Sequence, residues 1–84
     1  MGYTHMNAIH KFPVNGPMTH LFCGEILHFG EQREQFYVWA KAEPTVNRTV
    51  QLITTGAEFD DTGLRHIGSV ITDGGYFVVH AFTS

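Results

Sequence analysis

Six histidines, a single cysteine and a scatter of hydroxyls are the residues of this 84-residue chain best suited to chemistry. Nucleophilic catalysis needs a Cys or Ser beside a His that a carboxylate orients. Cys23 has His20 and His28 near it in sequence, but in an extended segment His20 and Cys23 point to opposite faces. No Gly-x-Ser-x-Gly elbow occurs, and Ser84 is terminal. A buried apolar Cys23 is the favoured reading. His10, His20 and His28 lack zinc-ligand spacing. His80 alternates with Tyr76, Val78 and Phe82 along one strand face, where a hydrogen-bonded core histidine is commoner than a ligand. The expectation is a non-enzyme, with no catalytic residue, no metal and no cofactor.

Binding is the chemistry that remains. Tyr37 and Trp39 share one strand face with Lys41, so a nucleobase could stack on either ring. A core position for Trp39 competes with that reading. Thr55 and Gly56 close one strand, and Arg65 opens the next across an acidic loop. Were those ends to meet, Arg65 would bind an anion beside hydroxyl and amide donors, with Arg48 as a reserve cation. A salt bridge from Arg65 to Asp60 or Asp61 is the stronger expectation. The ligand-binding set is therefore Tyr37, Trp39, Arg48, Thr55, Gly56 and Arg65.

Net charge is -3 and the five Lys and Arg are scattered, so duplex nucleic acid is a poor partner. A small anionic ligand needs only two or three donors. One cysteine allows no intrachain disulfide, which fits a reducing cytoplasm. No apolar run is long enough for a membrane helix, and no membrane partner is expected. Met1 to His5 reads as an appended leader, with residues 6–84 forming a single β domain. So small a domain buries a limited core, and the seven Phe are expected to carry much of it. Self-association into a homo-oligomer would complete the burial.

The elements that position these residues are strands. Ala8–Phe12 alternates and stops at Pro13, and Met18–Phe22 is a second short strand. Glu25–Phe29 is a third, followed by a polar connection over residues 30–34. Gln35–Glu43 is rich in aromatic and β-branched residues and ends at Pro44. It puts Phe36, Val38, Ala40 and Ala42 on one face and Tyr37, Trp39, Lys41 and Glu43 on the other. Arg48–Thr55 is the next strand, and residues 57–63 form a loop with room for a helical turn. Arg65–Phe82 is a hairpin about Asp73-Gly74-Gly75, with Phe77, Val79 and Ala81 facing the core and the second run central in its sheet. The fold class is all-β: a small antiparallel β-sandwich or partly closed barrel of about six or seven short strands.

Four blocks carry a resemblance: Ile9-His10-Lys11-Phe12-Pro13, Val38-Trp39-Ala40 with Pro44, Thr54-Thr55-Gly56 before an acidic loop, and His66-Ile67-Gly68-Ser69 through Gly74-Gly75 to Val79-His80-Ala81-Phe82. Together they resemble a family of small bacteriophage proteins with a domain of unknown function. Its pattern runs I-x-K-F-P, L-W-A, G-T-G and G-G-x-x-V-F-H-x-F. The chain departs from it at Thr54, where Gly is expected, and at His66, where an aromatic is expected. The resemblance implies a phage product acting in the host cytoplasm, and no reaction. By analogy of size and lifestyle, the expected function is a counter-defence sponge that sequesters a small nucleotide-like signal. The alternative is a protein–protein interaction or structural module binding a host or virion protein.

Overall fold

The computed structural model describes residues 7–72, 75 and 77–84. The proposed leader Met1–His5, the turn residues Asp73 and Gly74, and Tyr76 lie outside the described residues. The chain is all-β, with seven strands: β1 (Ile9–Val14), β2 (Met18–Phe22), β3 (Ile26–Gln32), β4 (Gln35–Lys41), β5 (Asn47–Thr54), β6 (Arg65–Thr72) and β7 (Phe77–Thr83). All pairings are antiparallel. They build a three-stranded sheet, β1-β4-β3, and a four-stranded sheet, β2-β5-β7-β6. The two stack as a small β-sandwich.

The chain changes sheet at three corners. Asn15 to Pro17 carries it from β1 to β2, Cys23 to Glu25 returns it to β3, and Ala42 to Val46 takes it across to β5. Polar side chains hold the first two corners. Gln35 Nε2 donates to the Val14 carbonyl at 3.0 Å. Arg48 Nε donates to the Gly24 carbonyl at 2.8 Å and its Nη1 to the Ser84 carbonyl at 3.1 Å. Pro13 stays inside β1, paired with Tyr37, because β1 is an edge strand and its missing N–H removes no second ladder bond.

The inner faces follow the alternation of the strands. Val38 and Ala40 of β4, Val50 of β5 and Ala81 of β7 are fully buried, with Val14, Ile26, Phe29 and Cys23 around them. Phe12, Phe36 and Leu52 pack against this group. The phenylalanines do not supply the core as expected. Only Phe29 is fully enclosed, whereas Phe22 and Phe77 are 61% and 56% exposed. Phe77 has inner-face register through its pairing with Thr72, yet it lies exposed at the hairpin end of the four-stranded sheet, so the core scaffold of β7 is Val79, Ala81 and Thr83.

The reason for so small-residued a core is the spacing of the sheets. A Cβ built on Gly68 of β6 would lie 3.3 Å from the Phe29 Cβ of β3. Any branched residue there would push the two edges apart. Gly68→Val is therefore expected to lower unfolding free energy by about 1–3 kcal/mol, the usual penalty of overpacking. A urea melt unchanged from the parent would show that the edges do not depend on that contact.

β3 extends further than its sequence pattern indicates, to Gln32, whereas β4 ends at Lys41 rather than Glu43. The expected polar connection over residues 30–34 contracts to a two-residue turn, with Gln32 paired to Gln35 and Arg33 and Glu34 at φ +53° and +66°. Such primed turns match the right-handed twist of the strands but favour Asn-Gly. Each residue held in the left-handed region costs about 1–2 kcal/mol. The double substitution Arg33→Asn/Glu34→Gly is expected to raise stability by about 1 kcal/mol. An unchanged or lowered denaturation midpoint would contradict this account of the turn.

Candidate functional site

Tyr37, Trp39 and Thr55 lie on two outward faces that point away from each other, whereas Arg48 and Arg65 sit at strand ends in inner-face register, opposite Leu21 and Thr83. Tyr37 and Trp39 sit on the outer face of β4, half-buried, with ring centroids 6.2 Å apart. Trp39 is not core. Its ring lies over β3, where Gly30 leaves bare backbone: a Cβ at Gly30 would come within 3.3 Å of Trp39 Cζ3 and 3.0 Å of His28 Nε2. His28 packs against Trp39 at a tilt of 51°, with centroids 5.2 Å apart.

Cations approach the same face from both sides. Lys11 of β1 reaches across β4, its ammonium 4.5 Å from the Tyr37 ring centroid, and donates to Gln32 Oε1 at 3.1 Å. Arg33 projects from the strained turn. Lys11, Gln32, Arg33 and Tyr37 line an open concavity of about 570 Å³. Lys41, expected beside the rings, is instead held by Glu25 at 3.1 Å. Lys11, Gln32 and Arg33 were missed as ligand candidates. The pairing of β1 with β4, which no local pattern encodes, is what sets Lys11 directly opposite Trp39.

The second group lies on the outer face of the four-stranded sheet. Thr55 Oγ1 is 2.8 Å from His80 Nε2, His80 Nδ1 is 2.7 Å from Ser69 Oγ, and Ser69 Oγ is 3.0 Å from His66 Nε2. The hydrogens order consistently in either direction: each imidazole donates at one nitrogen and accepts at the other, and each hydroxyl relays. Ser69 thus has a histidine beside it. The far nitrogen of His80 meets a hydroxyl rather than a carboxylate, and so lacks the charge that stabilises an imidazolium in a hydrolytic triad. The chain works as a fastener across β5, β7 and β6. The sequence indicates a hydrogen-bonded core residue at His80; it is hydrogen-bonded, but it lies on the outer face, opposite to buried Val79 and Ala81, and Ser69 was not singled out.

Thr55 and Arg65 do not meet. β7 lies between β5 and β6, so Thr54 pairs with Val79 and Arg65 with Thr83. Four residues of strand, roughly 13 Å, separate the two ends. The loop between them crosses the outer face without a helical turn, pinned by Phe59 against Phe82 at 4.8 Å between centroids. Asp60 is occupied by its own turn, accepting the Thr62 N–H at 3.0 Å, and hydrogen bonds from Thr62 hold its carboxyl below the ordinary value. The expected salt bridge from Arg65 to Asp60 or Asp61 does not form among the described residues, where Lys41–Glu25 is the ion pair present. Gly56 takes φ +92° in the turn that ends β5. Arg48 is committed to backbone carbonyls, as described above.

The profile of the domain of unknown function DUF7352 matches residues 6–84. The chain belongs to that family. No curated protein and no solved structure matches it. Among the described residues, no helix is long and apolar enough to cross a membrane, and no group of three or more His, Cys, Asp or Glu could hold a metal ion.

Cys23 is fully buried, and desolvation pushes its thiol pKa up, partly offset by the positive charge of Arg48. The folded chain therefore keeps this proton to higher pH than the unfolded chain. The resulting stability is whole at neutral pH and is lost as pH rises above about 8.5, the ordinary thiol value, towards the raised one. Stability measured between pH 7 and 9.5 is expected to fall more steeply for the parent than for Cys23→Ala. Equal slopes would remove the thiol from the alkaline response.

Proposed function

We propose that this chain is a phage-encoded, non-enzymatic binding protein that holds a small anionic, nucleotide-like ligand on the outer face of β1-β4-β3. In this reading it acts as a counter-defence sponge in the host cytoplasm, as a homo-oligomer. The observation that carries the proposal is Lys11, set over the Tyr37 ring and bonded to Gln32, with Arg33 in the wall of the same concavity. A base stacked on Tyr37 or Trp39 would bring its phosphate to these two cations. Exposed Phe77 supports self-association, since an oligomer would cover it. The phage setting rests on the I-x-K-F-P and G-G-x-x-V-F-H-x-F pattern.

A second reading, a module that binds a host or virion protein, is supported by the exposure of Met18, Phe22 and Ile71 on the outer face of the other sheet.

Trp39 is the only tryptophan, so its fluorescence reports directly on this face. Titration with cyclic and linear nucleotides, followed by calorimetry, is expected to give quenching and heat with at least one. Lys11→Ala and Tyr37→Ala should each weaken that ligand about tenfold or more, equivalent to about 1.4 kcal/mol. No heat with any nucleotide from folded protein, together with a stoichiometric protein captured from infected cells, would replace the first reading with the second.

A further inference from the structure

A second, smaller cleft opens at the seam between the sheets, on the side where β1 and β2 are both edge strands. Its volume is about 170 Å³, and it is lined by His10, Phe12, Phe22, Ala42, Glu43 and Pro44. Drug-sized sites begin near 300 Å³, so this cleft admits one head group and its stem. Its walls are apolar apart from His10 and one carboxylate. Glu43 folds over the bare backbone of Gly24, where an added Cβ would lie 2.8 Å from its Cδ. The Glu43 side chain is half-buried and makes no hydrogen bond or ion pair among the described residues. The cations of the flanking segments are committed elsewhere: Lys41 to Glu25, and Arg48 to the carbonyls of Gly24 and Ser84.

We infer that this cleft is a binding site for an arginine side chain presented by a partner protein. A carboxylate without a hydrogen-bond or ion-pair partner among the described residues, on a cleft that Phe12 and Phe22 also line, is complementary to a cation that is also flat. Guanidinium meets both demands, since it stacks on aromatic faces and pairs with a carboxylate through a planar fork. An ammonium would take the charge but waste the slot. A partner protein is the fitting source because the cleft lies between two free strand edges, whose unpaired backbone groups can engage an approaching chain. The net charge of -3 favours a basic partner in the same sense. The site is independent of the nucleotide-like ligand proposed above and shares no residue with it.

The probe is N-acetyl-arginine amide, titrated into the isotopically labelled full chain and followed by amide chemical shifts. Shifts are expected at His10, Phe22, Ala42, Glu43 and Thr45, saturating on the order of millimolar, as one head group allows. N-acetyl-citrulline amide, of the same shape without the charge, should leave them unmoved. Glu43→Gln should weaken binding at least fivefold, and Phe22→Ala, at an exposed position that tolerates change, at least threefold. Equal shifts with citrulline, or undiminished affinity in a folded Glu43→Gln variant, would overturn the assignment. Tighter binding of choline than of the arginine probe would also overturn it, by making the cleft a site for a free ammonium compound.

Discussion

The edge-to-edge approach of β3 and β6 is the constraint on which the rest of the molecule depends. Gly68 faces Phe29 with no room for a side chain between them. The two sheets are drawn together on that side, and the fully buried positions between them are mostly small or slender, Val38, Ala40, Val50 and Ala81, beside the enclosed ring of Phe29. Several other aromatics are displaced to outer faces and ends. Tyr37 and Trp39 spread on one sheet, Phe59 and Phe82 stack on the other, and Phe22 lies at the opposite, more open seam. The surface features that can recognise a ligand are in this sense a consequence of a narrow core.

Topology does the remaining sorting. Placing β7 between β5 and β6 makes those two strands run parallel, so the connection from Thr55 to Arg65 must travel the length of the sheet. A crossover of this kind usually carries a helix that buries itself on the sheet. Here ten residues make the journey with a single aromatic anchor, Phe59, and the sheet beneath is fastened by the Thr55–His80–Ser69–His66 chain. Two histidines that resemble catalytic material in sequence are explained by this load. Each hydrogen bond of such a chain contributes about 1 kcal/mol, and all lie at a partly wetted surface where exchange with water is easy.

Much of the fold was legible because it rests on local signals. Period-two alternation in Gln35–Lys41 identified the buried face of β4, and Met18–Phe22 was bounded by Pro17 and Cys23-Gly24 as the structure has it. What escaped is what alternation does not encode. Residues 30–34 read as one polar connection, yet Gly30, Glu31 and Gln32 continue β3 in register with β4, and only Arg33-Glu34 make the turn, at positive φ. The insertion of β7 left no mark on Thr55 or Arg65, so two residues close in sequence order were wrongly set face to face. Tyr37 and Trp39 were found as a pair, while the cation above them, Lys11, comes from a strand 26 residues away from Tyr37 and is visible only once β1 pairs with β4.

The allocation of charge bears on how any anion would be held. Five Lys and Arg serve the whole chain. Lys41 is neutralised by Glu25, Arg48 ties two carbonyls, and Arg65, at the start of β6, has no side-chain partner among the described residues. Lys11 and Arg33 are left for the aromatic face. A net charge of -3 gives no long-range attraction for an anion, and at physiological salt fields fade over about 8 Å. Recognition on that face must therefore come from contact: stacking on exposed ring surface, and donors already fixed in place, as Lys11 is by Tyr37 and Gln32. A pre-positioned ammonium loses little side-chain freedom on binding, which compensates for the absence of steering and favours a ligand whose planar and charged parts are rigidly joined.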